Sequence, residues 1–193
     1  GLEEDRKACK QKIYDFNQLP PSRQSKEAPQ MIKNIFGKTG ENVWVEAPFH
    51  CDYGWNIEVG ENFYSNYNLT ILDVGKVTCG KNVQIAPNVS IYTAGHPVHP
   101  DSRNSGYEYG IPVTVGDNVW IGGNTVILPG VTVGSNVVIG AGSVVSKDIP
   151  DNTIAAGNPC KVIREITDED RIYYFKKQKF DDEAWEEVKN KNK

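Results

Sequence analysis

Two aliphatic positions separated by one residue, then a turn-forming Gly, Asn or Asp, recur every six residues along most of the chain. From Val113 to Asp148 the sequence divides into VTVGDN, VWIGGN, TVILPG, VTVGSN, VVIGAG and SVVSKD. The third place reads Val115, Ile121, Ile127, Val133, Ile139 and Val145, aliphatic throughout. The first place reads Val113, Val119, Thr125, Val131, Val137 and Ser143, small or β-branched throughout. VTCGKN, VQIAPN and VSIYTA hold the same register from Val77 to Ala94, and IEVGEN, FYSNYN and LTILDV extend it back to Ile57. Because side chains alternate across a strand, each triplet predicts a short strand with one face buried. The residues after it predict a turn. A chain that turns after every half-dozen residues with the same face inward coils into a prism of flat parallel sheets, a β-solenoid. A β-sandwich would place its turns at intervals of about 8–12 residues and with looser periodicity.

The pattern breaks twice. Between Asp73 and Lys76 the period gains two residues, which predicts a corner bulge. The larger break, IYTAGHPVHPDSRNSGYEYG, contains His96 and His99, two of the chain's three histidines, and predicts an extruded loop at about 95–112. The ends change period to a helical one. Leu2 to Phe16 and Ser25 to Phe36 predict helices, the second carrying Met31, Ile32, Ile35 and Phe36 at helical spacing with Gly37 as its stop. Thr167 to Phe175 predicts another helix, with Thr167 as cap and acids in its first turn. DDEAWEEVKNKNK fits either a short helix or a solvated tail. The expected organisation is a helical segment over 1–39, a solenoid domain over 40–165, and a C-terminal helix and tail over 166–193.

Composition narrows the function classes. At 193 residues and 38% hydrophobic content the chain can bury a sizeable core. A net charge of -4 supplies no global field for nucleic acid or an anionic membrane. No run approaches the roughly 18 apolar residues of a membrane span, and no charged-then-apolar leader precedes the first helix. The chain begins on Gly1 rather than Met, as a processed or partial chain does. Cys9, Cys51, Cys79 and Cys160 are scattered without a CxxC pair, and are expected as reduced thiols of a cytoplasmic protein. His96-x-x-His99 has no third histidine or acidic cluster beside it, so no metal site is expected.

The blocks NFYSNYNLTILD, IAPNVSIYTAGHPVH, VWIGGNTVILPGVTVGSNVVIGAGSVVSKDIP and AAGNPCKVIREI together resemble the sugar O-acetyltransferases of the hexapeptide-repeat superfamily. This is the maltose and galactoside acetyltransferase group, which includes nodulation acetyltransferases. The likeness runs from about Ile32 to Phe175. It implies a left-handed parallel β-helix, although the general crossover rule would favour the right hand. It also implies a homotrimer, with acetyl-CoA as cosubstrate in the groove between subunits.

Acetyl transfer to a hydroxyl needs a base for a poor nucleophile and donors for a developing oxyanion. Histidine titrates near neutrality and suits the first task. By the resemblance His96 is the general base, while His99 shapes the loop or contacts acceptor. Asn66 matches a family residue near the reacting centre, as a transition-state or acceptor contact, though asparagine is also common at solenoid corners. A backbone amide around Gly122 or Gly123 is a further candidate donor. Acceptor contacts are expected from Asp52, Tyr64 and Asn66. Relatives can carry two acids after LTI where this chain has Leu72-Asp73-Val74, so the acidic contact there is either displaced to Asp73 or absent. For the coenzyme, the resemblance implies Gly122, Gly123, Ala141, Ser146, Lys147, Lys161 and Arg164, with Trp120 as an apolar wall. The small residues among these fit ordinary coil geometry equally well. Other acceptors, such as an antibiotic or serine, and a non-catalytic trimeric scaffold are the competing readings. A zinc hydratase would need three grouped histidines.

Overall fold

The computed structural model describes the whole chain, Gly1–Lys193. Each coil of the solenoid passes through three sheets in turn. The first contains Val43–Val45, Phe63–Ser65, Gln84–Ile85, Trp120–Ile121, Val138–Ile139 and Thr153–Ala156, all parallel. The second contains Phe49–Cys51, Leu69–Leu72, Ser90–Tyr92, Val126–Ile127 and Val144–Val145. The third contains Ile57–Val59, Val77–Cys79, Val113–Val115 and Thr132–Val133. The repeating inward places stack into an apolar column: Ile57, Val77, Val113 and Val133 are each fully buried, as are Leu69, Ile91, Ile121 and Ile127.

Coil length follows the corners. Ile57 pairs with Val77, 20 residues on, whereas Val126 pairs with Val144, 18 residues on. Val77 pairs with Val113, 36 residues on, so the long excursion adds the length of one further coil without shifting register. Where the third sheet turns into the first, asparagines adopt the left-handed conformation: Asn62, Asn82, Asn118, Asn136 and Asn152 have φ between 55° and 60°. Asparagine tolerates this region better than other side chains because its amide bonds locally. Here the amides form a ladder, each Nδ2 donating to the next Oδ1, from Asn42 through Asn62, Asn82, Asn118 and Asn136 to Asn152.

Helix α1 (Leu2–Asn17) and helix α2 (Pro21–Ile35) cover the open end of the prism. They bury Cys9, Ile13 and Phe16 from α1 and Ala28, Ile32 and Ile35 from α2. Phe36 meets Phe49 and Phe63 edge-on, at 5.5 and 6.4 Å between centroids, which plugs the first coils. The exposed sheet edge is satisfied by a side chain: Asn17 donates to the Phe49 carbonyl at 3.0 Å and accepts its amide at 2.9 Å. At the other end Lys161–Glu165 turns back antiparallel on Thr153–Ala156.

Three expectations about the ends change. The second helix starts at Pro21, not Ser25, because proline fits the first helical position and needs no apolar periodicity there. It stops at Ile35 with Phe36 extended, so Gly37 is not a helix cap. Gly37 is glycine because a Cβ there would meet the Trp55 carbonyl oxygen at 2.2 Å. Thr167 to Phe175 is not one helix: a 3-10 turn over Asp168–Ile172 gives way to Tyr173–Phe175, paired antiparallel with Gln178–Lys179. Thr167 does cap the turn, but the aromatic run after it fits an extended ribbon better than a helix. Of the two readings of the tail, the helix holds: α3 (Pro100–Asn104) lies in the excursion, and α4 (Asp182–Lys191) follows Asp181, whose carboxylate accepts the Ala184 amide at 2.8 Å.

Candidate active site

The excursion is ordered by its own contacts. Ala94–Gly95 pairs antiparallel with Tyr109–Gly110, closing its neck. Arg103 donates to the carbonyls of Pro97 and Val98, and the His99 ring accepts the Asp101 amide at 3.2 Å, so His99 caps α3. His96 stands exposed just beyond the neck, with Nδ1 3.1 Å from the Tyr107 carbonyl oxygen. A carbonyl only accepts, so Nδ1 is the protonated nitrogen and in the neutral ring Nε2 keeps its lone pair.

Register puts three corners side by side, because Cys51 pairs with Ile71 and Ile71 with Ile91. On this edge, between the second and third sheets, lie Asp52, Asp73 and the base of the His96 loop. Thr93 ties two of them together, donating to the Leu72 carbonyl at 2.5 Å and accepting the Gly75 amide at 2.8 Å. Asp73 ties the other two. Its carboxylate is fully buried and accepts the amides of Asp52, Tyr53 and Gly54 at 2.8, 3.0 and 2.7 Å. Asp73 therefore holds the 52–54 turn and does not face the acceptor space expected for it.

Asp52 remains open on this turn, its side chain 23% exposed. Burial pushes its carboxyl above the usual range, Arg6 opposes that shift, and Asp73 and Glu108 reinforce it. Arg6, from α1, lies 3.9 Å from the Asp52 carboxylate, donates to the Tyr53 hydroxyl at 3.2 Å and stacks 5.1 Å above its ring. Its Nε is buried and, at 3.9 Å from Asp52, has no hydrogen-bond partner. Sequence reasoning missed Arg6, since one arginine on an amphipathic helix carries no local signal of a partner 47 residues away.

The other expected site residues lie elsewhere. Asn66, Gly123 and Ala141 follow strands of the first sheet, on the edge between the first and second sheets. Asn66 Oδ1 accepts the Tyr67 amide at 2.8 Å, leaving its NH2 group as the end able to donate. Tyr64 and Trp120 project from the first sheet in one row, through Gln84, and are 38% and 55% exposed. Ser146 and Lys147 are exposed and return to the His96 edge, further along the solenoid. The edges bearing Asn66 and Asp73 are separated by the strand Leu69–Leu72, about 13 Å of extended chain.

Two coenzyme candidates have other occupations. Gly122 is buried, its amide donates to the Ile139 carbonyl at 2.8 Å, and a Cβ there would meet the Ala141 nitrogen at 2.5 Å. It is a stacking residue with no free donor. Arg164 forks onto Asp170, with both nitrogens at 2.8 Å, and braces the C-terminal turn. That pairing holds the Asp170 carboxyl down at about 2. Lys161, by contrast, is exposed on the closing strand. No group of three or more His, Cys, Asp or Glu side chains is arranged to hold a metal ion, and no helix is long and apolar enough to cross a membrane.

Comparison with known proteins agrees with this architecture. Residues 112–147 match the family model "Bacterial transferase hexapeptide (six repeats)", and residues 1–40 match "Maltose acetyltransferase hexapeptide capping motif". The galactoside O-acetyltransferase of Escherichia coli K12 is 54% identical over 93% of this chain and 88% of that protein. A solved galactoside acetyltransferase in complex with coenzyme A superposes with a TM-score of 0.91 at 54% identity, covering 94% of this chain and 90% of the other. A maltose O-acetyltransferase from Clostridium difficile 630 superposes with a TM-score of 0.84 at 53% identity, covering 86% and 89%.

Proposed function

The chain belongs to the hexapeptide-repeat acetyltransferases that carry the maltose-acetyltransferase cap, and from that premise we propose that it moves the acetyl group of acetyl-CoA to a hydroxyl of a galactoside-like or maltose-like sugar, with His96 as general base. The observation that carries the reading is the contact between His96 Nδ1 and the Tyr107 carbonyl, which fixes the tautomer and leaves Nε2 as the basic atom.

Nε2 takes the proton of the sugar hydroxyl as its oxygen attacks the thioester carbonyl carbon. The carbonyl oxygen becomes an oxyanion, to which the Asn66 NH2 donates. Collapse of the tetrahedral species breaks the carbon–sulfur bond. The departing thiolate recovers the proton from His96, giving acetylated sugar and coenzyme A.

His96 and Asn66 stand on different edges of one prism. A site that uses both is therefore built between copies, His96 from one and Asn66 from the next, as a threefold ring provides. The exposed row of Tyr64 and Trp120 supplies a flat apolar wall for such a groove. Within it, Asp52 accepts hydrogen bonds from the sugar hydroxyls and Asp73 keeps Asp52 in place. Gly123, Ala141 and Ser146 line the pantetheine arm beside Trp120, and Lys147 and Lys161 meet the phosphates as point charges. Four free thiols agree with a cytoplasmic setting. A thiol-release assay with acetyl-CoA against galactosides, maltose and glucose tests the reading: release that depends on one of these sugars is expected, and release with none of them contradicts it.

A further inference from the structure

The fold brings together two cysteines that the sequence leaves far apart. Cys9, on α1, and Cys51, at the end of the strand Phe49–Cys51, have their sulfurs 3.6 Å apart. A disulfide needs about 2.05 Å. The sulfurs are already in contact, and the helix and strand that carry them are pinned on both sides of the pair. Upstream, Arg6 engages Tyr53 and Asp52; downstream, Asn17 holds both backbone groups of Phe49. We propose that Cys9 and Cys51 form a peroxide-responsive dithiol that closes to an intramolecular disulfide, stapling the helical cap to the first coil of the solenoid.

The two thiols are unequal in a way that suits stepwise oxidation. The hydrogen bond from Cys51 favours a thiolate at Cys9 and holds the Cys9 pKa below its usual value, while the same contact and burial push Cys51 up. Cys51 lines a groove of about 500 Å³ together with Lys10, Ile13, Tyr14, Asn17, Gln18 and His50, so a small oxidant approaches the pair from the Cys51 side. The Cys9 thiolate attacks hydrogen peroxide, its sulfur gains one oxygen and hydroxide leaves. The Cys51 sulfur then attacks the sulfenic sulfur, the sulfur–sulfur bond forms, and the sulfenic oxygen departs as water with the Cys51 proton. In total two thiols and one peroxide give one disulfide and two waters. Cys79 and Cys160 are buried as Cys9 is, but neither has a thiol partner, so neither can resolve in this way.

The test is peroxide titration of the reduced full-length protein, followed by alkylation, thiol counting and peptide mapping. Titratable thiols are expected to fall from four to two, with a Cys9–Cys51 linked peptide that dithiothreitol reverses. The oxidised form should also melt at a higher temperature than the reduced form, since the bridge restrains the unfolded chain. Cys9→Ser should abolish the linked peptide; circular dichroism establishes that this variant is folded. For the unmodified chain, the bridge should be complete before any loss at Cys79 or Cys160. Retention of all four thiols at doses that oxidise free cysteine would overturn the proposal. So would accumulation of Cys9 sulfinic acid, or cross-linking between chains in place of the internal bridge.

Discussion

Asn82 and Asn118 are joined through their side chains, Nδ2 to Oδ1 at 3.0 Å, although 36 residues separate them in sequence. The bond spans the excursion that carries His96, so the solenoid corner continues beneath the loop as if the loop were absent. Scaffold and site are thereby decoupled: the coils stay in register while one corner is free to carry chemistry.

That corner yields a stability prediction. Asn118 has a φ of 55° and bonds on both sides, to Asn82 and Asn136. Asn118→Ala should destabilise the fold by about 2 kcal/mol, combining the left-handed penalty with lost hydrogen bonds. Asn118→Gly should recover about half of that by removing the backbone strain alone. Chemical denaturation of the two variants at matched protein concentration checks the order.

Asp73 predicts a different kind of loss. Asp73→Asn replaces one acceptor oxygen of a buried carboxylate with an NH2 group facing an amide N–H of the 52–54 turn. The expected cost is about 1–3 kcal/mol of stability. Because the turn carries Asp52, the KM for the sugar should rise while the KM for acetyl-CoA stays near its original value. Equal shifts in both constants would remove Asp73 from the acceptor side.

The C-terminal turn should respond to acid. Arg164 and the Thr167 amide hold the Asp170 carboxyl at about 2, below its ordinary 3.8. A depressed folded-state pKa means that the contribution is present above pH 3.8 and is lost as pH falls towards 2. Amide exchange over residues 168–179, compared between pH 5 and pH 2 after correction for intrinsic rates, should show protection lost across that window. In Asp170→Asn the protection should be low already at the upper pH.

Most of the solenoid is legible in the sequence because every coil makes the same demand, an aliphatic side chain inward at alternate places and a turn at fixed intervals. The excursion that carries His96 was legible because it interrupts that demand. What escaped depends on contacts between distant segments. Arg6 meets Tyr53, and Cys9 meets Cys51, through packing of α1 that no local pattern specifies. Asp73 reads as one acid near a family acceptor position, and only the fold reveals the three amides that consume it. The helix expected over Thr167 to Phe175 failed for a related reason, since Tyr173–Phe175 takes its form from pairing with Gln178–Lys179.

Shared sites predict complementation. His96→Ala and Asn66→Ala should each be nearly inactive alone. If copies share sites in a threefold ring as proposed, assemblies re-formed from an equal mixture should regain about one quarter of the activity, the fraction of interfaces that receive both intact residues. Mixtures no more active than their parents would indicate that both residues serve one subunit's site, or that neither serves any.

The central claim is that His96 Nε2 removes the acceptor proton. The most direct measurement is kcat for acetyl-CoA-dependent sugar acetylation by His96→Ala, with circular dichroism and assembly state matched to the unsubstituted protein. A fall of at least about 10²-fold with little change in the acetyl-CoA KM is expected. Turnover within a few-fold of the original would contradict the claim.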